Sequence, residues 1–248
     1  MAGTIAVIIP AAGKSSRFAG REKKPFASLD GRPIWLRTAE LFWSRDEVSK
    51  VYIVISQDDR DDFRTRFGHL LAFANAELVP GGVERSDSVA NALARIPAEV
   101  EFVAIHDAVR PLTPPPLIDA VFAAARVNGA AIPGIPVADT LKQVDSATHQ
   151  ITATVPRAGL WQAQTPQVFR KEWLIAAYAR RGGSITDDAQ AVEALGHAVT
   201  IVAGAVVNFK ITTKEDLELA EVVMQSRAPK KPEPRTVSRG AFDDEAKW

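Results

Sequence analysis

The chain has 248 residues, 46% of them hydrophobic, and its 30 Lys and Arg residues balance 30 Asp and Glu residues. This length and apolar content suffice for a full hydrophobic core, while a net charge of zero argues against a general nucleic-acid-binding protein, which usually has a basic excess. The absence of cysteine excludes a disulfide framework, a thiolate nucleophile and a Cys-ligated metal site.

The N-terminal segment MAGTIAVIIP predicts neither a secretory signal nor a membrane anchor. It lacks a basic start and its apolar run is short, and no other apolar run reaches the ~20 residues of a membrane span. We therefore expect a cytoplasmic globular protein without membrane association.

Short apolar runs, rich in β-branched residues, alternate with segments of helical spacing. The runs predict strands at residues 4–9, 51–55, 102–105, 130–135 and 199–202. The other segments predict helices at residues 34–42, 88–96, 117–125 and 213–225. This alternation predicts an α/β fold with a doubly wound, mostly parallel sheet, helices on both faces and right-handed crossovers.

Two stretches depart from this alternation. Residues 139–156 alternate polar and apolar side chains and predict a projecting β-hairpin. Because an isolated two-stranded ribbon is marginally stable, we expect this arm to need a partner surface. Residues 227–248 contain three prolines and many charges, and they predict a disordered tail that is either inert or binds an anionic partner through Lys230 and Lys231. A single domain, residues 1–226, precedes the tail.

Positive charge is concentrated directly after the first predicted strand, because residues 11–24 contain five basic side chains and one acidic side chain. Ligands of open α/β sheets bind beyond the carboxyl ends of the strands, and small residues let backbone N–H groups reach phosphate oxygens. The segment lacks the glycine pattern of a Walker loop or a dinucleotide-binding loop. A solvated basic loop is the alternative, but the position after the first strand favours anion binding.

The segment GGVERSDSV at residues 81–89 places a glycine turn before a predicted helix. Ser86 is a candidate cap of that helix, and Ser88 falls in its first turn. The segment is either an ordinary strand–turn–helix junction or a site where Gly81, Gly82 and the Ser88 hydroxyl read the edge of a base.

Three later motifs also have two interpretations each. Asp107, at a strand end, either pairs locally with Arg110 or binds hydroxyl groups or a hydrated Mg²⁺, whereas His106 reads as structural. Residues 186–188 have the pattern of a helix N-cap, and this role is compatible with a contact to a hydroxyl group of a ligand. Lys210 lies in an apolar stretch, so it is either an outward charge on an edge strand or a cation directed into a site.

Taken in order, the motifs resemble those of a known family. IPAAGKSSR, followed by Lys24 and LDGRP, looks like the signature of nucleotidyltransferases that activate sugars and related alcohols. GGVERSDSV, HDAVRP, PVADTLK, TPQ, ITDDA and NFKIT, in this spacing, resemble the 2-C-methyl-D-erythritol 4-phosphate cytidylyltransferase family, over residues 5–220. The resemblance implies a Rossmann-like nucleotidyltransferase domain with a seven-stranded sheet and a homodimer formed through the arm. It also implies transfer of CMP from CTP to methylerythritol phosphate, a step in non-mevalonate isoprenoid biosynthesis.

The resemblance also implies a role for individual residues. The CTP triphosphate would contact Ala11, Ala12, Gly13, Ser15, Arg17 and Lys24, the cytosine would contact Gly82 and Ser88, and the ribose would lie against Ala108. The methylerythritol part would contact Asp107, Arg110, Thr165 and Thr186, and its phosphate would contact Thr140 and Arg157 from the arm of the second subunit. Arg17, Lys24 and Lys210 would be the catalytic cations. Mg²⁺ would be held mainly by the CTP phosphates, with Asp107 as a candidate ligand.

Three positions depart from the family pattern, and several rival functions stay open. Ser15 stands where glycine is usual, Pro25 replaces a glutamine, and Val83 replaces a polar residue of some members. A ribitol 5-phosphate cytidylyltransferase would use the same polyol-contacting residues, whereas a molybdopterin guanylyltransferase shares only the first loop. An inactive nucleotide-binding regulatory protein is the rival of another class, and the presence of Arg17, Lys24 and Lys210 argues against it.

Overall fold

The computed structural model describes residues 4–13, 23–72, 74–180 and 187–227. Three sequence-predicted site residues, Ser15, Arg17 and Thr186, lie outside these ranges, as does nearly all of the predicted tail.

Strands and helices alternate along the described chain. The strands are β1 (Ile5–Pro10), β2 (Ser28–Leu29), β3 (Arg32–Pro33), β4 (Val48–Ile55), β5 (Ala76–Pro80), β6 (Phe102–Ile105), β7 (Ala130–Pro136), β8 (Leu141–Val144), β9 (Ile151–Val155), β10 (Trp161–Ala163), β11 (Gln167–Arg170) and β12 (Thr200–Ala203). The α-helices are α1 (Ile34–Trp43), α2 (Arg60–Leu71), α3 (Arg85–Leu93), α4 (Pro115–Asn128), α5 (Lys171–Arg180), α6 (Asp188–Glu193) and α7 (Lys214–Arg227). Each strand and helix predicted from the sequence is present, with bounds that differ by at most a few residues.

The central sheet is mostly parallel, as predicted. Strands β5, β4, β1 and β6 are parallel neighbours in this order. Antiparallel β11 lies between β6 and β7, and β12 pairs in parallel with the other edge of β7. Helices cover both faces, so the fold is the doubly wound α/β fold that the sequence predicted.

The resemblance implied seven strands, and this number was wrong, because the described sheet contains eight. Ala131 of β7 pairs with both β11 and β12, and Gly134 of β7 pairs with both β10 and β12. Strands β10 and β11 therefore share one edge of β7. Pro166, which has no N–H group to donate to the ladder, lies between them and interrupts the pairing.

Strand β1 is buried on both faces, which explains its unbroken apolar run. Val7 and Ile9 face a cluster that includes Trp35 of α1, with Phe63 of α2 and Phe122 of α4 in the same layer. The alternate residues of β1 pack in a second cluster with side chains from α3, α5 and α6. The sheet is thus held rigidly between two helical layers, and its carboxyl edge becomes a fixed platform for a site.

The β-hairpin predicted for residues 139–156 is present. Strands β8 and β9 pair antiparallel with each other as a separate two-stranded sheet. Its apolar side chains are open to solvent in the single chain, and Ile151 is 63% exposed. None of the described helices combines the length and the apolar character that a membrane span requires.

Candidate functional site

A cleft of about 770 Å³ lies at the carboxyl edge of the sheet. Its walls are the segments that directly follow β1, β4, β5 and β6. The lining residues are Pro10, Ala11, Ala12, Gly13, Lys23, Lys24, Pro25, Ser56, Gln57, Asp58, Gly81, Gly82, Val83, Glu84, Arg85, Ser88, Asp107, Ala108, Val109 and Lys210. This is the position where open α/β sheets bind ligands, and the volume lies within the range of small-molecule sites.

The first wall is formed by the segment after β1 and by a short turn that begins at Lys24. Ala11 donates its N–H to the Val54 carbonyl at 2.8 Å, which holds the strand exit against β4. Lys24 opens a 3-10 turn, and Pro25 occupies the first turn of that helix, where a missing N–H removes no helical hydrogen bond. The departure at Pro25 is therefore compatible with the local fold.

Lys23 holds this turn to the segment after β4. Its ammonium group lies 2.6 Å from the carboxylate of Asp59, which also accepts a hydrogen bond from the Ser56 hydroxyl at 2.5 Å. Phe26 packs on Phe63, with ring centroids 6.0 Å apart. Polar and apolar contacts together fix the cleft edge next to Lys24.

The second wall is the glycine turn after β5. Gly82 donates its N–H to the Ser88 hydroxyl oxygen at 3.1 Å, and that hydroxyl donates to the Glu84 carbonyl at 3.2 Å. A Cβ atom on Gly81 would lie 2.7 Å from the Cβ of Ala12, and one on Gly82 would lie 2.2 Å from the Cβ of Asp87. Both glycines are therefore required by close packing, and both line the cleft.

Helix α3 is capped differently from the sequence prediction, so the assignment of Ser86 as its cap was wrong. The helix begins at Arg85, and its N-cap is Glu84, whose side chain accepts from the backbone of Asp87. The Asp87 carboxylate in turn accepts from the Glu84 N–H at 3.1 Å. Since this reciprocal box satisfies the helix start, Ser86 lies inside the first turn rather than before it.

Arg85 and Asp188 form a buried pair that sequence reasoning missed. The two terminal nitrogens of Arg85 lie 3.1 and 2.7 Å from the two carboxylate oxygens of Asp188, which is fully buried. Tyr178 donates its hydroxyl to the same carboxylate at 2.5 Å. Burial opposes the charge of Arg85, but Asp188 outweighs it and raises the Arg85 pKa above its usual value.

The third wall contains Asp107 and Lys210. The Asp107 carboxylate lies 3.0 Å from Nε of Arg110 and 3.3 Å from Nζ of Lys210. Burial alone would raise the pKa of Asp107, but Lys210 and Arg110 hold it well below its usual value, so the carboxylate is ionised. Both sequence interpretations of Asp107 are compatible with this geometry, because the local ion pair forms at the cleft.

Lys210 is the cation directed into a site rather than a charge on an edge strand. It lies in the segment between β12 and α7, outside any strand, and its side chain lines the cleft beside Asp107. The packing of its neighbour Ile211 in a buried cluster fixes the backbone at this point. The apolar surroundings that made Lys210 conspicuous in the sequence therefore anchor the segment.

His106 lies fully buried behind Asp107, as the structural interpretation predicted. Its Nδ1 lies 3.0 Å from the Thr165 hydroxyl and its Nε2 lies 3.2 Å from the Arg110 carbonyl oxygen. Burial lowers the pKa of His106 to about 4, so the ring is neutral near pH 7. Thr165 is 5% exposed, and its hydroxyl is engaged behind the cleft rather than on the cleft lining.

The two arm residues are not brought to the cleft by this chain. Thr140 and Arg157 are both exposed and lie outside the cleft lining. A site that used them would therefore need a second subunit, which agrees with the role that the resemblance implied. Their assignment stays a prediction.

The described residues do not form a metal cage of their own. No three His, Cys, Asp or Glu side chains converge within the part of the chain that the structure describes. The candidate ligand Asp107 already faces two cations, Arg110 and Lys210. A single carboxylate in this position does not fit a metal ion held by the protein alone, since Mg²⁺ prefers several oxygen ligands.

Comparison with known proteins identifies similar chains. Residues 5–226 match the family model described as 2-C-methyl-D-erythritol 4-phosphate cytidylyltransferase. An enzyme of that name from Frankia casuarinae is 43% identical over 222 residues, 89% of this chain and 81% of the relative. Another from Rhodopirellula baltica is 40% identical over 235 residues, 90% of this chain and 96% of the relative. The crystal structure of the Thermus thermophilus enzyme of the same name is 32% identical and superposes with a TM-score of 0.74, covering 91% of this chain and 100% of that chain.

Proposed function

The chain belongs to the 2-C-methyl-D-erythritol 4-phosphate cytidylyltransferase family, and on this premise we propose that the cleft at the carboxyl edge of the sheet is its active site. The chain transfers CMP from CTP to 2-C-methyl-D-erythritol 4-phosphate and releases pyrophosphate, in the non-mevalonate pathway. The family match favours this acceptor over ribitol 5-phosphate. A cytoplasmic location stays a prediction.

The chemistry is an in-line displacement at the α-phosphorus of CTP. An oxygen of the 4-phosphate forms the new bond to this phosphorus, the bond to the bridging oxygen breaks, and pyrophosphate leaves with the electron pair. Because a phosphate monoester is already anionic near neutral pH, the reaction needs no Ser, Cys or His nucleophile. The protein's task is to place two anions together and to neutralise the charge that develops.

The walls of the cleft suit the parts of CTP. The segment from Ala11 to Gly13 and the Lys24 ammonium would receive the triphosphate, with Arg17 contributing from outside the described residues. Gly82 and Ser88 would meet the cytosine edge, because both residues line the cleft. Ala108 lines the cleft, and the ribose would lie against it.

The opposite end of the cleft suits the polyol phosphate. Ionised Asp107 accepts hydrogen bonds from hydroxyl groups, and Arg110 holds that carboxylate in place. Lys210, 3.3 Å from Asp107, would lie between the polyol and the reacting phosphates. The convergence of Asp107 and Lys210 with Lys24 in one cleft is the observation that carries the proposal.

Mg²⁺ would enter as its complex with the triphosphate and belong to the substrate. The donor set around Asp107 supports this, since two protein cations already lie beside its carboxylate. When bound, the ion would offset negative charge on the phosphates. The residues of the chain would position the complex through Lys24 and the backbone of the loop after β1.

The arm is the proposed dimer contact. Apolar side chains are exposed along the arm and on the neighbouring strand β10. Val144 of β8 is 45% exposed, and Trp161 of β10 is 42% exposed. A second subunit would cover this surface and receive Thr140 and Arg157 at the phosphate of its acceptor. The exposure of these apolar residues in the single chain supports the proposal.

Nucleotide discrimination tests the assignment of the glycine turn. In calorimetric titrations with Mg²⁺ present, we expect CTP to bind at least about tenfold more tightly than UTP or ATP, because unmatched polar groups at a base edge cost about 1 to 3 kcal/mol. Ser88→Ala should reduce the ratio of the affinity for CTP to the affinity for UTP or ATP, while the triphosphate still binds. Equal affinity of wild type for all three nucleotides would refute this role of the turn.

A further inference from the structure

A group of buried polar side chains lies directly behind the cleft. Its members come from three separate segments of the chain, after β6, before β11 and after β12. They are His106, Thr113, Gln164, Thr165 and Asn208, each at most 5% exposed. A buried polar group is costly unless it is hydrogen-bonded, so a cluster of this size indicates a constrained arrangement rather than ordinary core packing.

His106 connects the backbones of Asp107 and Arg110. The Arg110 carbonyl can only accept, so Nε2 of the neutral ring carries the proton and donates to it at 3.2 Å. Nδ1 then accepts from the Thr165 hydroxyl at 3.0 Å, and the same hydroxyl oxygen accepts the Asp107 N–H at 3.1 Å. The imidazole therefore sets the distance between the two ends of the Asp107–Arg110 turn.

A second branch reaches the segment that contains Lys210. Thr113, whose hydroxyl also lies 3.3 Å from Nε2 of His106, donates to the Asn208 side-chain oxygen at 2.7 Å. The Asn208 carbonyl accepts from Arg110 Nη1 at 2.7 Å, and Lys210 follows two residues later. One network with His106 at its centre thus holds Asp107 and Arg110 and reaches the segment of Lys210 through Asn208.

We propose that His106 is a positioning residue for the polyol of the acceptor, holding Asp107, Arg110 and Lys210 in their working geometry without touching substrate. This inference rests on the proposed function, because it assumes that Asp107 faces the polyol. The ring lies outside the cleft lining and packs on Phe42, with centroids 5.0 Å apart. Its role is therefore to orient neighbours rather than to transfer a proton.

Two substitutions separate shape from hydrogen bonding. His106→Phe keeps a ring against Phe42 but removes both hydrogen bonds, whereas His106→Asn keeps an acceptor near the position of Nδ1. For His106→Phe we expect kcat/KM for methylerythritol phosphate to fall about 100-fold, since small misplacements of reacting groups cost on this order. The KM for CTP should change less than about twofold. For His106→Asn we expect kcat/KM for methylerythritol phosphate to be about tenfold higher than for His106→Phe, because the retained acceptor restores part of the geometry.

Matched variants keep the test decisive. Ile118→Ala removes a fully buried apolar side chain from the adjacent core, so it reports loss of stability without loss of the network. If His106→Phe does not fold, Thr113→Val keeps the imidazole but removes the hydroxyl that contacts Asn208, the Arg110 carbonyl and Nε2 of His106. A smaller fall in acceptor kcat/KM is expected. Nitrogen NMR of the wild-type ring supplies a readout that is independent of turnover, and it should show Nε2 protonated and Nδ1 unprotonated.

The outcomes distinguish the inference from the function beneath it. Absence of pyrophosphate release by the wild-type protein would overturn the proposed function. Normal wild-type turnover with an unchanged acceptor KM in Asp107→Asn would overturn the assignment of Asp107. With normal turnover of the wild-type protein, either of two results would overturn the positioning role of His106. The first is an equal loss of activity in His106→Asn, His106→Phe and Ile118→Ala. The second is an equal effect of the His106 substitutions on the kinetic constants for both substrates.

Discussion

Carboxylates of the protein lie beside lysine side chains of the cleft and partly neutralise their charge. Lys23 is paired with Asp59 at 2.6 Å, and Lys210 lies beside Asp107. Lys24 also lines the cleft, at the start of the turn that Pro25 and Phe26 anchor. Lys23 and Lys24 are thus adjacent cations at the same wall of the cleft, which makes them a natural pair for comparison.

Lys24→Ala should lower turnover by about 100-fold or more, since a cationic contact to a developing charge contributes about 3 kcal/mol in the transition state. Steady-state kinetics measure this, and circular dichroism checks the fold. Lys23→Ala is the matched control, and its loss should be smaller because Asp59 already neutralises that charge. Near wild-type turnover of Lys24→Ala would contradict its catalytic assignment.

The buried histidine makes stability depend on pH in a defined direction. The pKa of His106 falls from 6.5 in the unfolded chain to about 4 in the folded protein, so the unfolded state binds the extra proton between these values. Stability should therefore fall as the pH drops from about 6.5 to about 4, by on the order of 2 kcal/mol. Asp107, whose folded pKa is depressed, adds a further loss only below about pH 4.

Urea unfolding at a series of pH values measures this dependence. His106→Asn should flatten the slope between pH 6.5 and pH 4 relative to wild type. His69→Asn, at an exposed position on α2, is the control and should keep the wild-type slope. An unchanged slope in His106→Asn would show that another group takes up the proton.

At the scale of elements, the glycine turn and helix α3 form one unit. The turn places the Glu84 N–H within reach of Asp87, so the cap that starts the helix and the wall proposed to read the base depend on the same backbone. Gly82 has no room for a side chain at this junction. A substitution there should change stability and nucleotide binding together.

Gly82→Ala should lower the free energy of unfolding by about 1 to 2 kcal/mol, as expected for a lost helix cap, and should raise the KM for CTP. Thermal unfolding and kinetics provide the measurements. Gly68→Ala on α2 is the matched control, because a Cβ there meets nothing within 4 Å and alanine favours a helix. If Gly82→Ala bound CTP like wild type, the turn would not form the base-reading wall.

Strand β1, helix α3 and strands β10 and β11 differ in how well the sequence pattern predicts them. Strand β1 was predictable because burial on both faces demands an apolar residue at every position. The start of α3 was placed at residue 88 instead of Arg85, because its cap consists of Glu84 and Asp87 and gives no apolar periodicity. The division between β10 and β11 depends on where Pro166 meets β7, which a single sequence does not specify.

At the scale of the whole molecule, distant segments meet in ways that local patterns do not encode. Arg85 and Asp188 stand 103 residues apart in the chain, yet they form a bidentate pair beside the cleft. Each lay in a motif that was noted from the sequence, but neither position predicted the other. The motifs thus singled out Asp107 and Lys210, which the structure places 3.3 Å apart at the cleft, whereas the Arg85–Asp188 pair became visible only in the structure.

The proposed dimer completes the site with residues that this chain leaves exposed, and mixed dimers test it. Arg157→Ala and Lys24→Ala should each be nearly inactive, but exchange of subunits should restore about a quarter of wild-type activity, because half the dimers gain one intact site of two. Light scattering should show a dimer for both variants and a monomer for a protein lacking residues 143–153. No recovery on subunit exchange would contradict a site shared between subunits.

Pyrophosphate release with defined substrate pairs tests the central claim most directly. The protein is incubated with Mg²⁺, each of the four nucleoside triphosphates, and either 2-C-methyl-D-erythritol 4-phosphate or ribitol 5-phosphate. We expect rapid release with CTP and methylerythritol phosphate, with formation of 4-diphosphocytidyl-2-C-methyl-D-erythritol, and little release with any other pair. No release with that pair, or faster release with ribitol phosphate, would contradict the function assigned to this cleft.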